Sequence, residues 1–147
     1  MGKTKNIIIK TNGLGLYDFT SELKNWVSGE GILHLFAKHT SASLLIQENF
    51  DPEVKTDLIN FFVRLVPFAS DPRMRYLSHR YEGEDDMPAH IKAALGQVSL
   101  TIPVIGGELT LGTWQGVYLF EHRTSPKIRE VVALSLIHIS EPTRLHG

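Results

Sequence analysis

The stretch QVSLTIPVIGGELTLGTWQGVYLFEH, residues 97–122, decides the fold class. β-branched and aromatic residues dominate it, Gly106 and Gly107 interrupt it, and its apolar positions lack helical spacing. That pattern reads as strands at 97–104, 108–111 and 113–122, with the glycine pair as a tight turn. Residues 127–134 continue in the same vein, so the last third is expected to form an antiparallel meander.

Upstream, the run Ile7, Ile8, Ile9 reads as a first strand, turned by Asn12-Gly13. A short amphipathic helix follows Thr20, with Leu23, Trp26 and Val27 on one side. Residues 32–39 and 44–46 read as two adjacent strands. Asp51-Pro52-Glu53 opens a helix: Asp accepts from the free N–H groups, Pro tolerates the first position, and an early acid complements the positive helix end. Val54, Leu58, Phe61, Phe62 and Leu65 form its apolar stripe. Residues 67–84 are polar and long for a connection, which marks them as functional or mobile. One more short helix starts at Asp85 or Asp86 and stops at Gly96. Strands mixed with a few helices, without regular alternation, predict a compact α+β domain built on antiparallel sheet. A length of 147 residues fits one such domain.

The formal net charge of −1 provides no general field for attracting phosphate backbones, so nucleic acid is not an expected partner. Without cysteine, a disulfide, a thiolate zinc site and a cysteine nucleophile are all excluded. No stretch approaches the ~20 apolar residues of a membrane span, and residues 1–10 lack a signal core, so the expected compartment is the cytoplasm, with no membrane partner. The expected domain covers residues 1–134; residues 135–147 resemble translated adapter sequence more than a natural ending, so His138 and His146 are set aside.

Among the other histidines, His34 lies in an apolar strand, where an imidazole usually finds an ordinary hydrogen-bond partner. His39 ends that strand next to Thr40 and Ser41, whose hydroxyls and N–H groups suit an anionic oxygen, although a plain polar strand end has the same composition. His79 sits in the long polar loop, and His90 lies four residues after Asp86, on the same helix face. That spacing suits either a shared metal or a carboxylate orienting a ligand histidine; the plainer alternative makes Asp86 an N-cap and His90 a surface residue. Three histidines on separate segments with acids nearby match an open divalent site, in which a fourth position is left for water or substrate. Gln115 and Glu121 are polar positions in an apolar strand, ~20 Å apart at ~3.3 Å per residue.

Residues 99–117 together with His39-Thr-Ser-Ala-Ser43, Asn49-Phe-Asp51-Pro52, residues 81–92 and Glu121 resemble the signature of the YjbQ-like family, the secondary thiamine-phosphate synthases, over about Asn6 to Ala133. The resemblance implies an α+β fold, a homotrimer, and His39, His79 and His90 as ligands of a divalent ion, zinc by preference and magnesium as the alternative. It also implies an enzyme that joins a pyrimidine pyrophosphate to a thiazole phosphate. Asp86, Glu121 and Gln115 are then the candidate catalytic residues. Thr40, Ser41, Lys92 and Arg123 are the candidates for holding a small anionic metabolite. Metal-dependent hydrolysis of a phosphorylated metabolite and non-catalytic binding by a trimer are the alternatives. The chain departs from the family at Asp86, where many members carry Asn, and after Leu134.

Overall fold

The computed structural model describes residues 2–138. In chain order the elements are β1 (Gly2–Asn12), β2 (Gly15–Asp18), α1 (Thr20–Trp26), β3 (Gly31–Ala37), β4 (Ala42–Glu48), α2 (Pro52–Leu65), α3 (Asp86–Leu95), β5 (Ser99–Ile105), β6 (Glu108–Leu109), β7 (Gln115–Glu121) and β8 (Pro126–Ile137). They form a five-stranded sheet of order β1-β8-β3-β5-β6 and a three-stranded sheet of order β2-β7-β4. Every pairing is antiparallel, so the architecture is α+β, as the sequence predicts.

The expected meander is corrected. Only β5 and β6 form a hairpin, across Gly106 and Gly107, whose φ values of 59° and 79° suit glycine. β7 then crosses to the small sheet, between β2 and β4, and β8 returns to the large one, between β1 and β3. Nor are β3 and β4 neighbours, since they belong to different sheets. Residue type specifies extended backbone, whereas the choice of partner is set by long-range packing. β7, buried from Gly116 to Glu121, has cover on both faces.

The main core lies between the sheets, with Leu33, Leu35, Val131 and Ala133 of the large sheet packed with Leu44, Val117 and Leu119 of the small one. Fully burying each such leucine or valine contributes about 1.5–3 kcal/mol. Along β8 the burial alternates, and Arg129, Val131, Ala133 and Ser135 turn inward. β8 runs past residue 134 to Ile137, paired with β1 and β3, and residues 139–147, including His146, lie outside the described residues.

Asp51 caps α2 as expected, its Oδ1 accepting from Glu53 N at 2.9 Å. α2 packs Leu58 and Phe62 on Leu16, Tyr118 and Phe120, leaving Phe61 and Leu65 exposed. The long connection after α2 is ordered by its own small core. Val66, Ala69, Met74 and Leu77 pack against Met87 and Ile91 of α3, and Arg80 donates to the carbonyls of Ala69 and Met74. This packing carries His79 to the start of α3.

Candidate functional site

Asp86, in the first turn of α3, is 1% exposed, and its carboxylate is the centre of the site. Its Oδ2 lies 2.7 Å from His79 Nε2 and 3.3 Å from His90 Nε2, while its Oδ1 accepts from Arg123 Nη1 at 2.8 Å. Arg123 also donates through Nε to Asp85 Oδ2 at 2.8 Å and through Nη2 to the Glu82 carbonyl at 2.9 Å. Asp85 stands at the N-cap position, but its carboxylate serves Arg123 and Thr124 N instead of capping the helix. Burial pushes both carboxyls up. For Asp86 the His79 hydrogen bond and the His90 and Arg123 charges outweigh it, and for Asp85 the Arg123 and Thr124 hydrogen bonds do, so both end below the usual carboxylate value.

His90 Nδ1 is 2.9 Å from the Thr40 carbonyl. A carbonyl only accepts, so Nδ1 carries a proton; in a neutral ring the Nε2 lone pair would face Asp86 Oδ2, acceptor against acceptor. A positive charge between them, a second proton or a metal ion, relieves that repulsion. One donor atom from each of His79, Asp86 and His90 lies within 4.8 Å of the others, a His/carboxylate set of the kind zinc and other divalent ions accept. The His79 and His90 side chains are 42% and 32% exposed, which leaves an open approach.

Beside this cluster is a cavity of about 790 Å³ lined by His39, Thr40, Ser41, His90 and Arg129 among others. His39 Nε2 accepts from Glu130 N at 2.8 Å, so its proton sits on Nδ1, and burial together with the Arg129 charge lowers its pKa. Arg129 donates through Nε to Glu121 Oε1 at 2.7 Å, through Nη2 to Glu121 Oε2, and through Nη2 to Ser41 Oγ at 3.0 Å.

Residues 5–137 match the family model described as UPF0047 protein YjbQ-like. The chain belongs to the YjbQ-like family. A UPF0047 protein of Synechocystis sp. is 49% identical over 138 residues, covering 91% of this chain and 88% of that protein. YjbQ of Salmonella typhimurium is 42% identical over 134 residues, covering 88% of this chain and 94% of that one. Among solved structures, a Thermus thermophilus protein matches with a TM-score of 0.74 at 35% identity, over 87% of this chain and 97% of that one. An Aeropyrum pernix protein matches with a TM-score of 0.80 at 26% identity, over 92% and 99%. No helix among the described residues of this YjbQ-like chain is long and apolar enough to cross a membrane.

The YjbQ-like fold brings some of the sequence-derived residues together and parts others. His79 and His90 meet around Asp86, which is neither a helix cap nor a surface group. His39 stands apart from that triplet, on the cavity wall with Thr40 and Ser41, its Nε2 engaged by Glu130. Glu121 is 0% exposed, and its oxygens accept from Thr11 Oγ1, Arg129 and Arg123 N, which leaves a base no substrate to reach. Gln115 sits at the far end of β7, closing a turn by accepting from Gly112 N at 2.7 Å. Three of the five Arg123 side-chain N–H groups go to Asp85, Asp86 and the Glu82 carbonyl, an arrangement that positions Asp86. Lys92 lines a different cavity from His90. Arg129 is the residue the sequence reading missed. Its signal was the period-two register that places a charge on the inward face with Val131 and Ala133.

Proposed function

We propose that this protein is a cytoplasmic, metal-dependent enzyme in which His79, Asp86 and His90 hold a divalent ion, zinc by the character of the donors, beside a cavity for a small phosphorylated metabolite. The observation that carries the reading is the convergence of His79 Nε2 and His90 Nε2 on Asp86 Oδ2, at 2.7 and 3.3 Å, with the His90 ring fixed through Nδ1 on Thr40. The reaction that fits is the transfer implied by the family resemblance: a thiazole phosphate nitrogen bonds to the pyrimidine methylene carbon as the carbon–oxygen bond to pyrophosphate breaks. A divalent ion in this position supplies charge neutralisation for the leaving pyrophosphate. Arg123 fixes the Asp86 carboxylate from behind, Thr40 fixes His90, and the Thr40–Ser41 segment offers hydroxyls to phosphate oxygens on the cavity side. The volume, about 790 Å³, is ample for a metabolite of this size.

A homotrimer is part of the proposal. Ile8, Ile32, Phe36, Ile105, Ile128 and Leu136 are exposed, and the strand register puts them all on the outer face of the large sheet. An apolar face of that kind is buried in an assembly more often than left bare. Elemental analysis of purified protein, followed by turnover of the pyrimidine pyrophosphate and thiazole phosphate with and without chelator, tests the reading. One divalent ion per chain, lost in His90→Ala, with chelator-sensitive pyrophosphate release, is expected. Metal-free active protein overturns the metal centre, and a metal-loaded protein without turnover of this pair overturns the transfer.

A further inference from the structure

On the other side of α3 lies a second cavity, of about 410 Å³, between α3, α2 and the small sheet. Leu45, Leu58, Phe62 and Phe120 give it apolar walls, and Ser43, Lys92 and His122 contribute buried polar groups. Cavities that enclose small organic ligands have this size and this makeup, mostly apolar with a few polar groups.

Two of those groups lack partners. His122 Nε2 is 2.9 Å from Ser43 Oγ, whereas its Nδ1 is buried with no hydrogen-bond partner among the described residues. Lys92 is 3% exposed, and the lysine ion pairs among the described residues are Lys5 with Glu22 and Lys38 with Glu130, so Lys92 has none. A buried ammonium is costly unless an anion accompanies it, and the one carboxylate whose charge reaches Lys92, that of Asp85, is engaged by Arg123 and Thr124 N and makes no ion pair with it. Burial, then the Lys92 and Arg129 charges, lower the His122 pKa to about 3, so its ring is neutral and offers one N–H. Ser43 Oγ can donate to Nε2 or accept from it, so an anion held at Nδ1 selects the tautomer whose N–H is there, with Ser43 donating to Nε2.

We infer that this cavity binds a small amphipathic monocarboxylate, its head paired with the Lys92 ammonium and the His122 Nδ1–H and its hydrocarbon body laid against Leu58, Phe62 and Phe120. A single negative charge balances the single lysine. A phosphate dianion leaves surplus charge among apolar walls, and a neutral ligand leaves the ammonium unpaired. The site is separate from the His79–Asp86–His90 cluster, because α3 presents His90 to one cavity and Lys92 to the other.

The test uses full-length protein treated with chelator, with octanoate as probe and 1-octanol as its uncharged counterpart. Saturable octanoate binding by calorimetry is expected, with NOEs from its methylenes to the rings of Phe62 and Phe120. Lys92→Met weakens octanoate by about tenfold or more, the scale of one charge-assisted hydrogen bond, and leaves 1-octanol unweakened. His90→Ala leaves octanoate affinity within about twofold, and so separates this site from the metal cluster. Should Lys92→Met not fold, as judged by its melting curve, the NOEs of the wild-type protein decide. Absent saturation, NOEs confined to other residues, or octanoate binding lost in His90→Ala but kept in Lys92→Met overturn the inference.

Discussion

Asp86 and Glu121 are both buried carboxylates held by an arginine, yet their surroundings leave them with different acceptor capacity. Glu121 meets Arg129 side by side, with Thr11 and the Arg123 N–H filling its remaining acceptor capacity. Asp86 gives one oxygen to Arg123 and turns the other toward two partly exposed imidazoles. Burial alone therefore does not distinguish the carboxylate proposed to hold a metal from one that is fully paired within the fold. What distinguishes them is whether an acceptor is left facing groups that can exchange partners.

The contrast is sharpest in stability. Glu121→Ala strands the Arg129 guanidinium in the interior, so a loss of about 3–5 kcal/mol is expected in denaturant unfolding. A loss below about 1 kcal/mol would remove the structural role given to Glu121. Asp86→Asn is expected to keep the fold while zinc affinity, measured by competition with a chromophoric chelator, drops by more than ~100-fold, and Arg123→Gln to drop it by ~10–100-fold through loss of orientation. Equal zinc binding by all three proteins breaks the comparison at Asp86.

Asp85 and Asp86 have folded-state pKa values below their unfolded values, so the stabilisation they provide is complete above the unfolded value of about 3.9 and drains as pH falls through the folded values. Unfolding free energy is therefore expected to fall below about pH 4, with a shallower slope in Asp85→Asn. An unchanged slope would assign the acid sensitivity elsewhere. The smallest effect is expected at Gln115→Ala: about 0.5–1.5 kcal/mol from the lost Gly112 hydrogen bond, with zinc affinity unchanged. Lost zinc binding there would mean that the far end of β7 reaches a metal site, as it could only across a subunit boundary.

Part of the site was legible because it is local. The four-residue spacing from Asp86 to His90 is a property of any helix, and the Asp51-Pro52 opening of α2 reads directly from backbone chemistry. His79 was recognisable as a polar-loop histidine, but its approach to α3 depends on the small core of Val66, Ala69, Met74 and Leu77, which nothing in the local spacing signals. His39 shows the opposite case: its neighbours Thr40 and Ser41 suit an anion, but its own Nε2 is taken by the N–H of Glu130, ninety-one residues away in sequence. Lys92 and His90 share a helix, yet one turns to the buried cavity and the other to the open one.

By itself the sequence determined most of the extended and helical segments, though not β2, that the product is α+β, and that Asp86 and His90 share a face. These follow from side-chain period, turn chemistry and capping, which act over a few residues. Only the tertiary structure decided that β7 and β8 part to different sheets, that Arg129 seals Glu121, and that His79 completes the cluster. Those outcomes rest on contacts between residues distant in the chain, whose energies depend on burial and on which donors remain unpaired once the sheets have closed.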